Sequence, residues 1–138
     1  MGCVVEVVET LALTLVIFLV IQTFVAQPFQ VQMHSMEPTF AGGDYVLVAR
    51  LTHLWNPYGR GQVVVFHPPA NVTNATEPFI KRIIGIGGDT VEVRDGQVFV
   101  NGIALDEPYL FHDAAGAAEP TVASDQSRWV VPGGDLFV

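Results

Sequence analysis

Thr90-Val91-Glu92-Val93-Arg94, then Asp95-Gly96, then Gln97-Val98-Phe99-Val100 is the stretch from which the fold of this 138-residue chain can be read. Asp-Gly between two alternating runs is the signal of a two-residue type I′ turn, because both central positions of that turn need a positive φ. Pairing across such a turn sets Val93 opposite Val98 and Val91 opposite Val100. All four valines then share one face, as a hairpin buried on one side requires.

The same texture extends on both sides. Short runs rich in Val, Ile, Phe and Tyr alternate with Gly, Pro and Asn punctuation, and predict strands over residues 29–33, 45–50, 62–67, 79–86 and 129–131. Asn101-Gly102 makes the turn after the hairpin. Residues 71–77 read as a polar loop that contains the sequons Asn71-Val72-Thr73 and Asn74-Ala75-Thr76. Residues 111–128, rich in Ala, Asp and Ser, read as an exposed insertion. Leu136-Phe137-Val138 has strand character, so the strand and the sequence are expected to continue further. The expected fold is mostly β, with antiparallel sheets forming a sandwich or open barrel over residues 28–138.

The N-terminus differs in kind. From Val7 to Ala26 the only charge is Glu9. A helix of that length reaches about 30 Å, the thickness of a bilayer's hydrocarbon core. No Lys or Arg precedes it and no Ala-x-Ala site follows it, which argues against a cleaved secretory signal. Residues 1–27 are therefore expected to be a membrane anchor in contact with lipid. The flank carries Glu6 and Glu9 but no basic residue, so charge does not orient it.

Composition excludes some functions. Fourteen acidic residues against six basic ones give a net charge of −8, and no basic patch is available to neutralise a nucleic acid. The one cysteine, Cys3, permits neither an internal disulfide nor a cysteine-based metal site. The four histidines, His34, His53, His67 and His112, have no metal-ligand spacing, and no metal or cofactor is expected.

Two residues suggest chemistry. Lys81 is the only lysine, and it sits inside an apolar run, Pro78-Phe79-Ile80-Lys81-Arg82-Ile83-Ile84-Gly85. Strand alternation puts it on one face with Phe79 and Ile83. An amine on an apolar face loses hydration, which disfavours its charged form, and such a lysine can act as a general base; the bland alternative is an ammonium that snorkels to the surface. A base needs a nucleophile. Ser124 and Ser127 lie in the polar insertion. Ser35 follows a predicted strand and precedes Pro38, so it occupies a turn, where backbone amides can converge on one point. His34 adjoins Ser35, but neighbouring side chains of an extended segment point apart.

With Ser35 and Lys81 in hand, the chain resembles type I signal peptidase, a family of membrane proteases with a Ser–Lys pair. Ser35-Met36-Glu37-Pro38-Thr39 is similar to that family's nucleophile segment, and Gly43-Asp44-Tyr45-Val46-Leu47-Val48 to the strand after it. Residues 60–66 and then 81–89 resemble the segments around its base. Asn101-Gly102 with Glu107-Pro108-Tyr109-Leu110 resembles the following one. Five segments in the family's order are more specific than any one alone.

The resemblance implies Ser35 as nucleophile, Lys81 as general base and the Ser35 amide as oxyanion donor. It implies substrate contacts at Phe29, Gln30, Val31, Met33, Met36 and Ile80, where small apolar pockets suit Ala-x-Ala before the cut. It further implies removal of signal peptides from secreted preproteins, at the outer face of the bacterial cytoplasmic membrane. The sequence also departs from the family. Met33 stands where many relatives place a Ser or Gly; Gly87 replaces a proline and Gln62 an aspartate. The family's segment that supports the lysine is expected to lie beyond Val138. Two rivals remain at this level: another Ser–Lys protease, such as a self-cleaving repressor, and a membrane-tethered β domain that binds peptides without cutting them.

Overall fold

The computed structural model describes residues 2–32, 34–69 and 77–138. They fall into two compact units, the first holding residues 2–30 and 45–57, the second residues 31–44 and 58–138. The described residues are mostly strands in antiparallel sheets, with one apolar helix at the N-terminus.

In the first unit, helix α1 spans Gly2–Val20 and passes into a π-helical turn at Ile21–Val25. Together they form a segment of 24 residues, long and apolar enough to cross a membrane, with none of it buried. The helix thus starts five residues before the apolar run expected from Val7. Strand β1, Ala26–Gln30, begins at once and pairs antiparallel with β2, Tyr45–Ala49. Pro28, which cannot donate to a ladder, is tolerated because this sheet has two strands and each is an edge. Arg50 closes the unit: its amide donates to the Val25 carbonyl at 3.0 Å and its guanidinium to the Thr23 carbonyl at 2.9 Å.

The second unit contains the hairpin. Strands β6, Thr90–Arg94, and β7, Gln97–Val100, pair in the expected register, Val91 with Val100 and Val93 with Val98. Asp95 and Gly96 both have positive φ, 52° and 78°, as a type I′ turn demands. Strands β8, Ile103–Ala104, and β9, Arg128–Val130, flank the hairpin in the order β8-β7-β6-β9. Its valine face is the core: Val91, Val98 and Val131 are buried, with Ile84, Val93, Leu105 and Phe137 packed on them. Gly85 lies against this core because a side chain would not fit; a Cβ there would stand 2.8 Å from Val91 Cγ2. On the opposite face Arg94 stacks over the Phe99 ring at 3.9 Å.

Strand β3, Val63–Phe66, pairs with β4, Phe79–Arg82. The expected single strand over 79–86 is interrupted. Ile83 still pairs with the β3 side, donating to the Gln62 carbonyl at 2.8 Å and accepting from the Gly61 amide at 2.7 Å. Ile84 instead donates to the Phe137 carbonyl at 2.8 Å, and β5, Gly85–Ile86, pairs with β10, Leu136–Phe137. The chain exchanges partners between two adjacent residues, and Ile83 is wholly buried at that point. The first strand is also displaced from expectation, 26–30 instead of 29–33. The extended chain nevertheless continues to Val31, whose amide donates to the Asp44 carbonyl and whose carbonyl accepts from the Gly43 amide. Residues 111–120 are exposed throughout, as read, and carry one bridge, His112 to Ala118. The sequons and most of the polar loop lie outside the described residues.

Candidate active site

Ser35 and Lys81 meet although 46 residues separate them: Lys81 Nζ donates to Ser35 Oγ at 2.8 Å. Both belong to the second unit. Ser35 sits on a tight turn. The Glu37 amide donates to the His34 carbonyl at 3.1 Å and the Phe40 amide to the Met36 carbonyl at 2.9 Å. The base of the loop is closed by the Val31 pairing with Gly43 and Asp44, and the Asp44 carboxylate accepts the Ala41 amide at 2.9 Å. Met36 is buried while Ser35 beside it is exposed, so an apolar anchor sits next to the hydroxyl that Lys81 reaches.

Lys81 is held by its strand. In β4 it stands opposite Val64, between Ile80 opposite Val65 and Arg82 opposite Val63. Its side chain is half-buried, and its amine ends on the serine. A hydroxyl 2.8 Å from an amine is within the range for direct proton transfer. When the amine is neutral, the same line carries the serine proton to nitrogen and leaves an alkoxide able to attack a carbonyl.

His34 is engaged elsewhere. Its Nδ1 is bonded to a Glu37 carboxylate oxygen at 2.6 Å, and its ring covers Gly42, where a Cβ would be 3.0 Å from Cε1. Of the other expected substrate contacts, Val31 and Met36 are buried and Ile80 is half-buried, all in the second unit. Phe29 and Gln30 belong to β1 in the first unit, opposite Val46 and Tyr45. Met33 lies outside the described residues.

Two further groups of side chains tie together segments around β4. Asp89, the buried carboxylate, accepts Arg60 Nε at 2.7 Å and Arg60 Nη2 at 2.5 Å. It also accepts the Ile86 amide and Asn101 Nδ2, each at 2.9 Å. The Arg60 guanidinium first, then the Ile86 amide, hold its carboxyl well below the usual range, against the opposing effect of burial. Arg82 stacks over the Tyr109 ring at 4.1 Å and donates to the Gly61 carbonyl at 2.8 Å. The Tyr109 hydroxyl donates to Glu107 at 3.0 Å. Burial raises both of their pKa values, Tyr109 more strongly. Sequence reasoning included these residues in its matched segments but gave them no role. The available signal was charge within an apolar context: Arg60 before a valine run, and Asp89 after Gly87-Gly88.

Comparison with known proteins places the chain in a family. The family model described as signal peptidase, peptidase S26, matches residues 4–138. A signal peptidase I of Leptolyngbya laminosa is 38% identical over 109 residues, covering 76% of this chain and 54% of the relative. A protein of Synechocystis sp. named probable signal peptidase I-2 is 34% identical over 128 residues, covering 91% and 59%. Signal peptidase IB of Staphylococcus aureus is 34% identical over 105 residues, covering 76% and 52%. The chain thus spans a little over half the length of these curated relatives.

Proposed function

Because this chain belongs to the signal peptidase family, peptidase S26, we propose that it is a membrane-anchored serine endopeptidase that removes signal peptides from secreted preproteins through Ser35 and Lys81. The observation that carries the reading is the 2.8 Å contact between Lys81 Nζ and Ser35 Oγ.

In this mechanism neutral Lys81 takes the Ser35 proton as the serine oxygen attacks the scissile carbonyl. The Ser35 amide stabilises the developing oxyanion; a donor of this kind is worth ~10²–10³ in rate. The protonated lysine then gives its proton to the leaving amine. An acyl-enzyme remains, and a water deprotonated by Lys81 releases it. The substrate lies extended, with its backbone along a strand edge. Small residues before the cut, in the pattern Ala-x-Ala, suit shallow apolar pockets, for which the second unit offers Val31, Met36 and Ile80. Residues 1–27 anchor the domain of residues 28–138 by a single pass at the outer face of the bacterial cytoplasmic membrane.

The test is cleavage of a preprotein bearing an Ala-x-Ala site by the parent, Ser35→Ala and Lys81→Ala proteins in lipid. Both variants are expected to lose turnover. A variant that cuts as fast as the parent removes its residue from the mechanism, and a peptide bound but never cut by the parent supports a binding domain instead.

A further inference from the structure

Arg82 directly follows Lys81 in β4, so the two side chains leave opposite faces of the strand. Lys81 goes to Ser35. Arg82 goes to three other places. Its guanidinium lies 4.1 Å over the Tyr109 ring, Nη1 donates to the Gly61 carbonyl at 2.8 Å, and Nη2 donates to Thr39 Oγ1 at 3.4 Å. Thr39 closes the turn that carries Ser35, and the Phe40 amide next to it bonds back to Met36, the neighbour of Ser35.

The far side of the guanidinium is fixed as well. Glu107 accepts the Tyr109 hydroxyl at 3.0 Å, which holds the ring in place. A planar guanidinium can stack on a ring while its edge donors reach two acceptors; an ammonium has no plane to stack. Arg82 therefore joins the strand of one reacting residue to the turn of the other, without touching either reacting atom.

We infer that Arg82 is a positioning residue, clamped between Tyr109 and the Gly61 carbonyl, that holds the Thr39 end of the nucleophile turn and so sets the approach of Ser35 to Lys81. The inference rests on the reading of Ser35 and Lys81 as the reacting pair. Its consequence is geometric. Releasing the turn moves a hydroxyl that has to stay within hydrogen-bond reach, and a displacement of about 1 Å costs on the order of 10²-fold in rate.

Lys81 is the only lysine of the chain, so protein labelled with ¹³C at the lysine ε position and held in lipid nanodiscs gives one signal from that carbon. Ser35→Ala defines how far this signal moves when the hydroxyl contact is lost. Arg82→Ala, Arg82→Lys and Thr39→Val are expected to move it in the same direction. In preprotein cleavage the same variants are expected to lose kcat by ~10–100-fold with KM nearly unchanged, and the double variant Arg82→Ala/Thr39→Val is expected to be no slower than Arg82→Ala alone. Thr39 is exposed, so Thr39→Val carries the test if Arg82→Ala does not fold. A Lys81 signal left at its parent position in folded Arg82→Ala or Thr39→Val overturns the inference. So does parental kcat in Arg82→Ala while Ser35→Ala and Lys81→Ala are inactive, an outcome that leaves the catalytic reading standing. A parent that never cleaves, but whose Lys81 signal moves in all three variants, upholds the positioning and removes the catalytic reading.

Discussion

Arg60 and Asp89, 29 residues apart, meet through two parallel hydrogen bonds, Nε to Oδ2 at 2.7 Å and Nη2 to Oδ1 at 2.5 Å. The same carboxylate also ties down the Ile86 amide and the Asn101 side chain. One buried group thus joins the segment before β3, the strand after the lysine and the turn after the hairpin. Asp89→Ala removes these bonds together and leaves Arg60 and Asn101 without that partner. The expected loss is about 2–3 kcal/mol, measured as a lower denaturation midpoint with an unchanged slope.

The pair also sets a pH dependence. The folded-state pKa of Asp89 is depressed, while the unfolded residue titrates near about 3.9. Its stabilisation is therefore complete above about pH 5 and is lost as the pH falls below about 4. Glu107 acts in the opposite sense, because burial raises its pKa and its ionisation in the unfolded chain favours unfolding as pH rises above about 4. The contribution of Asp89 is thus best read as the difference between parent and Asp89→Asn. That difference is expected to shrink towards low pH in urea titrations between pH 2 and 6.

Turnover tests the amine itself. Lys81→Arg is not expected to support turnover, since a guanidinium stays charged and offers no lone pair to the serine proton. Loss of the base corresponds to ~10²–10⁴ in rate. Parental turnover by Lys81→Arg in preprotein cleavage excludes a lysine base.

His34→Ala is expected to keep parental kcat within a few-fold, because its ring is bonded to Glu37 and packed over Gly42, and is not bonded to Ser35. A loss of 10²-fold or more, on the scale of removing a general base, assigns the base to histidine and overturns the Lys81 mechanism.

Packing offers a separate test. Gly85→Ala places a methyl group 2.8 Å from Val91 Cγ2 and 3.2 Å from Val131 Cγ2. Such overpacking costs ~1–3 kcal/mol. Adding Val91→Ala is expected to be less destabilising in the Gly85→Ala background than in the parent, because the two changes share one space. Additive losses in thermal melts exclude this account.

Residues near each other in sequence carried their structure openly. The Asp95-Gly96 turn predicts the register of β6 and β7, because a two-residue turn leaves one pairing that buries all four valines. The uncharged run after Glu9 predicts an apolar helix long enough to cross a membrane, since length and side-chain chemistry are properties of the segment alone. The order of the five matched segments pointed to the family that the comparison supports. By itself, however, the apolar context of Lys81 left a base and a snorkelling ammonium both open, and strand alternation said nothing of where its amine ends. The tertiary structure decided that the amine reaches Ser35, that His34 turns to Glu37, and that the strand of the lysine ends where Ile84 leaves β3 for Phe137. It also gave partners to Arg60 and Arg82. The reason is physical: periodicity and turn geometry are set by neighbouring dihedrals, whereas which distant strands pair depends on the whole unit burying its apolar faces while satisfying its backbone hydrogen bonds.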